Sequence, residues 1–338
     1  MIKGNKFYFF KRLIEKHIPL HVQMELTTKC NNDCIHCIRE KNIENELTST
    51  EIKGLLLELR EAGCMQLTFT GGEPLLREDF FDICKFANSK GFVLRLFSNA
   101  TLINKAVAKR LKELRFKEIR ITVFSIREEV HDAITQIPGS LRKTLQALRF
   151  LSENRITFRI SAIIMKRNIN ALAELKAKAQ EENWPFSWDP TIYPTYSGLK
   201  YPVLNRITNK EIEFLRNKRL LRCKKYQNIN SKRNELNYFY LGNLHCYISA
   251  DGRVFPHASI RLQLGDFKKQ SFKEIWKNSS RLNWLRNLSI EDFACSGCAY
   301  FLHCPWCLGL AYPEEGKITA RPKEYCRIAS ILREQGKK

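Results

Sequence analysis

The sequence predicts an α/β fold in which repeated strand–helix units build a parallel sheet and a smaller cysteine-rich segment follows. Strand-like and helix-like segments alternate from residue 20 to about residue 195, where the alternation stops. Cysteines cluster just after the first strand and again near the C-terminal end. Repeated βα units require crossovers, and crossovers place the strands parallel.

Strand candidates fall at 21–26, 66–70, 93–97, 118–124, 157–165 and 186–192, short stretches rich in β-branched or aromatic residues. Amphipathic segments such as 51–62, 104–114 and 141–154 separate them. The first of these carries a capping box, with Thr48 as N-cap, Glu51 at N3 and Gly63 beyond its end. The chain divides into an N-terminal extension (1–19), the βα unit (20–197), a connecting region (198–235) with a helix at 209–219, and a cysteine-rich module (236–338). Within that module, Asp251-Gly252 between alternating segments predicts a β-hairpin with a type I′ turn.

With 338 residues, 44% hydrophobic and 27% charged, the chain has room for two domains and a substantial core. It shows no signal peptide and no run of membrane-spanning length, so a cytoplasmic protein is expected. Twelve cysteines in a reducing compartment point to metal binding instead of disulfides. The net charge of +22 is spread along most helices and is densest over 104–120 and 216–233. No aromatic-interleaved basic motif accompanies it, so a solvated surface is expected and nucleic acid is not.

Cys30, Cys34 and Cys37 stand in C-x3-C-x2-C spacing directly after the first strand. Thiols this close cannot pair without strain, but they can converge on one metal centre. A four-iron cluster held by three cysteines leaves one iron open to chelate a substrate or cofactor. About thirty residues on, Gly71-Gly72-Glu73-Pro74 follows an apolar run, with two glycines for close backbone approach and a carboxylate suited to an ammonium. A three-cysteine zinc knuckle and an ordinary turn are the bland readings of each motif alone.

Together the two motifs resemble the radical S-adenosylmethionine (radical SAM) superfamily. The resemblance implies a partial (β/α)6 TIM-like barrel with the cluster at the C-terminal ends of the strands. It implies that the open iron chelates the methionine moiety and that an electron cleaves the sulfonium to a 5′-deoxyadenosyl radical. Gly71, Gly72 and Glu73 would then hold the methionyl ammonium, and His36 would take the place of the aromatic residue near the adenine. Ser98-Asn99-Ala100 resembles the family's segment after the third strand, with Ala100 where the family has glycine. Ser125 matches a ribose contact, while Ile126-Arg127-Glu128 departs from the Leu-Asp-Gly that usually follows. His131 and Asp132 open a helix and are read as capping residues.

The C-terminal module resembles a SPASM domain, which carries auxiliary iron-sulfur clusters. Cys295, Cys298, Cys304 and Cys326 map onto the ligands of the distal cluster, and Cys307 onto the cysteine that returns to the proximal one, with x2 in place of x3. The departures fall on the proximal site. His257 stands where the family has cysteine, and the earlier cysteine window around Phe239 holds no thiol. Cys246 and His257 are therefore candidate ligands with Cys307, and the site is histidine-ligated, incompletely ligated or absent. Cys223 reads as a fourth ligand, a buried thiol or a hydrogen-atom donor. A four-cysteine zinc site also uses paired C-x2-C units, although zinc ribbons usually space the pairs further apart. Cys64 and Cys84 read as small buried apolar residues.

The expectation is a radical SAM enzyme that abstracts hydrogen from a peptide or small protein to give a crosslink, thioether, epimer or oxidised residue. It would use a 4Fe–4S cluster with S-adenosylmethionine, one or two auxiliary clusters and a flavodoxin- or ferredoxin-type reductant. Leader recognition would come from a separate protein or be unnecessary. A radical SAM enzyme acting on a tetrapyrrole, sugar or cofactor precursor is the alternative, and a non-catalytic iron-sulfur or zinc-binding protein is the third.

Overall fold

The computed structural model describes residues 2–39, 43–218, 220, 242–298 and 308–333. A helix, α1 (Ile2–Glu15), precedes six strands: β1 (His21–Thr27), β2 (Gln66–Gly71), β3 (Val93–Ser98), β4 (Glu118–Thr122), β5 (Phe158–Ile163) and β6 (Phe186–Asp189). The crossovers carry α2 (Ser49–Glu61), α3 (Phe80–Ser89), α4 (Lys105–Glu113), α5 (Glu128–Thr135), α6 (Ser140–Glu153) and α7 (Leu172–Glu181). The expected capping box is present at α2, where Thr48 and Glu51 satisfy each other's backbone N–H groups.

The strands lie in the order β6-β5-β4-β3-β2-β1, each parallel to its neighbour in sequence. Since each crossover moves one strand in the same direction, right-handed connections put all the helices on one face. Burial agrees. Val22, Met24, Leu26, Leu67 and Phe69 are buried with Ile52, Leu55, Leu56 and Leu59 of α2. The alternate residues form a polar inner face, where His21 Nε2 meets Thr68 Oγ1 at 2.8 Å and Arg159 donates to Glu118 at 3.2 Å. This is an α/β barrel winding left open, with β6 at one end of the sheet.

After α8 (Asn209–Asn217), three further strands extend the same sheet beyond β1: β7 (His245–Ile248), β8 (Arg253–Phe255) and β9 (Gly265–Asp266). The cysteine-rich module is thus not built apart from the barrel. Its hairpin enters through β7, which runs parallel to β1 with His21 opposite His245. The hairpin turn is not type I′. Gly252 N donates to Ser249 O at 2.9 Å, and of the turn residues only Gly252 has positive φ (91°). Type I′ needs positive φ at both central residues, and here those are Ala250 and Asp251.

The helices Leu308–Glu315 and Lys323–Arg333 return to the segment after β6, where Arg206 pairs with Glu314 at 2.8 Å. No helix among the described residues is long and apolar enough to cross a membrane.

Candidate functional site

The loop after β1 and the end of β2 are locked together by backbone. Gly72 N donates to Thr27 O at 2.7 Å and Glu73 N to Lys29 O at 2.9 Å. A Cβ on Gly72 would lie 1.8 Å from Lys29 O, and one on Gly71 2.3 Å from Thr27 O, so only glycine allows this approach. The contact brings Gly71, Gly72 and Glu73 against the loop that carries Cys30, Cys34 and Cys37.

Burial raises the pKa of the Cys34 thiol, and the nearby Cys37 and Cys30 sulfurs raise it further. Three thiolates crowded in this way need a cation to sit together, which is what an iron cluster supplies. Arg39 is the protein's own positive charge here. It donates to Thr28 O at 2.8 Å and bonds Cys37, and although burial opposes its charge, Cys37, Cys30 and Glu25 outweigh burial. Asn32 N and Asn99 Nδ2 approach Cys30 Sγ at 3.4 and 3.9 Å, donors of the kind that tune a cluster's sulfur ligands.

Glu73 is fully buried. Its carboxyl accepts from Ser98 Oγ at 2.9 Å, Asn99 N at 2.8 Å and Leu75 N at 3.2 Å, yet burial still pushes its pKa up to about 7. Such a carboxylate is under-compensated without a cation, and a ligand ammonium would complete it. Asn99 also reaches Asn31 Oδ1 at 2.9 Å, tying the end of β3 to the cysteine loop. Ala100 takes φ 63°, which explains the glycine usual at that position in the resembled family. The His36 ring stands edge-on to Phe124, centroids 5.0 Å apart, with Nδ1 buried and unpartnered. Burial lowers its pKa to about 4, so the ring is neutral. These groups fit a three-cysteine cluster and S-adenosylmethionine.

Ser125 is fully buried and accepts from Arg127 N at 2.9 Å. His131 and Asp132 do not open a helix but lie inside α5; Asp132 instead braces the start of the following helix, α6, accepting from Gly139 N, Ser140 Oγ and Leu141 N. His131 accepts from Phe124 N at 3.3 Å. Cys64 and Cys84 are buried in the core as expected.

In the C-terminal module Cys298 and Cys326 are close enough to feel each other's charge; Cys326 is raised first by burial and then by Cys298. Cys295 lies one turn before Cys298, whose N donates to Cys295 O at 3.1 Å. Cys223, Cys304 and Cys307 lie outside the described residues. Among the described residues no three His, Cys, Asp or Glu side chains stand close enough to hold a single metal ion, and that includes Cys30, Cys34 and Cys37, whose sulfurs lie within electrostatic reach of one another but wider apart than a one-ion site.

Cys246 and His257 do not come together. Cys246 pairs with Val22 across β1 and is buried in the helix-side core, close to Cys64. His257 is on the inner face, 5.8 Å between ring centroids from His245, which in turn bonds His21 at 3.1 Å. Burial lowers His257 to about 4, and its Nδ1 meets Ser259 Oγ at 2.8 Å.

Sequence reasoning missed Arg39, Glu25, Tyr196 and Arg261. Only Arg39 carried a local signal, being two residues beyond Cys37. Glu25 is buried near the cluster loop beside Arg39 and Arg261, and burial raises its pKa.

Residues 24–177 match the radical SAM superfamily model, and residues 240–299 match that of the SPASM iron-sulfur cluster-binding domain. An AdoMet-dependent heme synthase of Methanosarcina barkeri is 25% identical over 91% of this chain and 96% of its own. A PqqA peptide cyclase of Bradyrhizobium diazoefficiens is 24% identical over 84% of this chain and 79% of its own. The structure of Streptococcus suis SuiB bound to precursor peptide SuiA superposes with a TM-score of 0.73 at 13% identity, covering 95% of this chain and 80% of that one, which is a likeness of fold. The two matched domains imply a 4Fe–4S cluster with S-adenosylmethionine and auxiliary iron-sulfur clusters.

Proposed function

We propose that this chain, a radical SAM enzyme carrying a SPASM domain, modifies a peptide or small protein by abstracting hydrogen from it. The observation that carries the reading is three exposed apolar side chains on the segment after β6, one of them bonded to the cysteine loop. Leu199, Tyr201 and Leu204 are 59, 45 and 71% exposed on the segment after β6, and Tyr201 Oη donates to Cys37 O at 3.1 Å. Exposed apolar side chains anchored to the cluster loop are suited to receive an extended chain. The peptide named in the SuiB structure and the peptide cyclase relative support the same class.

Cys30, Cys34 and Cys37 would hold the cluster and Glu73 the methionyl ammonium, with Gly71 and Gly72 giving the backbone approach. His36 would present an apolar edge to the adenine, and Ser98, Asn99 and Ser125 would complete the cofactor's surroundings. When bound, the cluster and S-adenosylmethionine supply a radical able to take hydrogen from an unactivated carbon. The protein's part is to position that carbon and exclude water. Cys295, Cys298, Cys304 and Cys326 are proposed ligands of an auxiliary cluster, and a flavodoxin- or ferredoxin-type protein would deliver electrons.

A tetrapyrrole substrate is the second reading, supported by the heme synthase relatives that align over most of the chain. The deciding experiment supplies anaerobically reconstituted enzyme, dithionite and S-adenosylmethionine with either the short peptides encoded beside the gene or iron-coproporphyrin III. A peptide that loses hydrogen mass and stimulates 5′-deoxyadenosine release upholds the first reading; turnover of the porphyrin alone overturns it.

A further inference from the structure

Arg261 is held in an unusual way. Its guanidinium carbon lies 4.0 Å from the centre of the Phe255 ring and 4.1 Å from that of Tyr196, with Tyr247 at 5.8 Å. Aromatic faces fix a guanidinium's plane and favour its charge, but they accept no in-plane N–H. Nη1 is accordingly buried with no hydrogen-bond partner. The Glu25 carboxyl lies within electrostatic reach of Arg261 but makes no hydrogen bond to Nη1, and a buried donor left unpaired is costly. The fold maintains this cost at a cavity of about 250 Å³ between the loop after β6 and the helix Leu308–Glu315, lined by Tyr193, Tyr196, Ser259, Arg261 and Tyr312.

The position matters as much as the charge. Phe255 and Tyr247 belong to the hairpin that joins the sheet at β1, and Ile38, next to Cys37, also lines the cavity. The cavity therefore lies between the cysteine loop and the C-terminal module. Its volume is below the roughly 300 Å³ at which drug-sized pockets begin, so it suits one side chain or arm and not a whole macrocycle.

We propose that Arg261 anchors a carboxylate of the substrate in this cavity. A planar guanidinium matches a carboxylate's two oxygens, and the aromatic clamp keeps it pre-oriented. The anchored group is an acidic side chain if the substrate is a peptide and a propionate arm if it is a tetrapyrrole. The inference rests on the reading that the substrate binds beside the cysteine loop, and it holds for either substrate class.

The test titrates wild-type holoenzyme, R261K and R261A with three probes: acetyl-Gly-Glu-Gly-amide, its Gln counterpart, and coproporphyrin III. The expected result is that wild type binds at least one carboxylate probe, and that this affinity falls at least about tenfold in R261A and partly in R261K. If the peptide is the probe bound, wild type should also prefer Glu over Gln, and R261A should lose that preference. A purely structural defect would weaken the Glu and Gln peptides equally and leave the preference intact, which would overturn the proposal. So would carboxylate binding that is equal in wild type and R261A, or no carboxylate binding to wild type. Arg261-dependent binding of coproporphyrin III alone would uphold the anchor while removing the peptide reading.

Discussion

Cys246 and His257 leave one hairpin on opposite faces of the sheet. The register sets Tyr247 across from Phe255, and continued outward it places His257 opposite His245 and Pro256 opposite Cys246. Side chains alternate along a strand, so the thiol enters the helix-side core and the imidazole enters the inner polar layer. No single cluster can take both as ligands while this strand pairing holds.

Cys246→Ala should therefore leave the iron content of the reconstituted enzyme unchanged. Its cost should be that of a small core truncation, about 1 kcal/mol, seen as a lower unfolding midpoint. Loss of iron in this variant would return Cys246 to the ligand set and require the β1–β7 pairing to open.

Glu73 should make S-adenosylmethionine binding depend on pH. Burial holds its folded-state pKa near 7, above the ordinary 4.5, so the ligand-free fold is favoured by this group below 4.5 and loses that stability as pH rises through 7. Ligand binding runs the other way, because the carboxylate, not the acid, holds an ammonium. Affinity should rise about tenfold from pH 6 to pH 8, in step with the ionised fraction. Equilibrium dialysis of wild type and Glu73→Gln should show weaker binding and a flatter profile in the variant. The ligand's own amine titrates identically against both proteins, so only the difference between the profiles is diagnostic.

Gly72→Ala tests the contact between the two motifs. The added methyl would sit 1.8 Å from Lys29 O, a backbone atom, so the cysteine loop or the end of β2 must move. We expect S-adenosylmethionine affinity to fall by roughly tenfold or more, with the core helices still folded by circular dichroism. Wild-type affinity in this variant would mean that the loop yields without consequence.

The barrel was legible because its signals are local. Each strand's β-branched or aromatic run and the Thr48–Glu51 box lie within a few residues of one another, and both appear in the structure where expected. The hairpin was less legible. Its Asp251-Gly252 pair suggests type I′, but the turn begins at Ser249 and puts only Gly252 in the left-handed region. That register decides which residues share a face, and it parts Cys246 from His257, which were read as candidate ligands from the family's motif spacing and not from the strand pairing. The pairing of His21 with His245, and the clamp of Tyr196 and Phe255 on Arg261, join distant parts of the chain and leave no periodicity to read.

Cys298 should separate radical generation from product formation. It lies in the C-terminal module within electrostatic reach of Cys326, and both belong to the ligand set expected of an auxiliary cluster. The loop of Cys30, Cys34 and Cys37, proposed to hold the first cluster, is by contrast tied to β1, β2 and β3 through Thr27, Lys29 and Asn99. Cys298→Ala should therefore lower the iron content while S-adenosylmethionine cleavage by the remaining cluster continues. Product should be lost, because the step after hydrogen abstraction needs either an electron acceptor or a held substrate atom. The measurement is paired: iron and 5′-deoxyadenosine per enzyme on one side, modified substrate on the other. Unchanged iron and unchanged product would make the cysteine structural, whereas loss of both activities would place the C-terminal cluster upstream of radical formation.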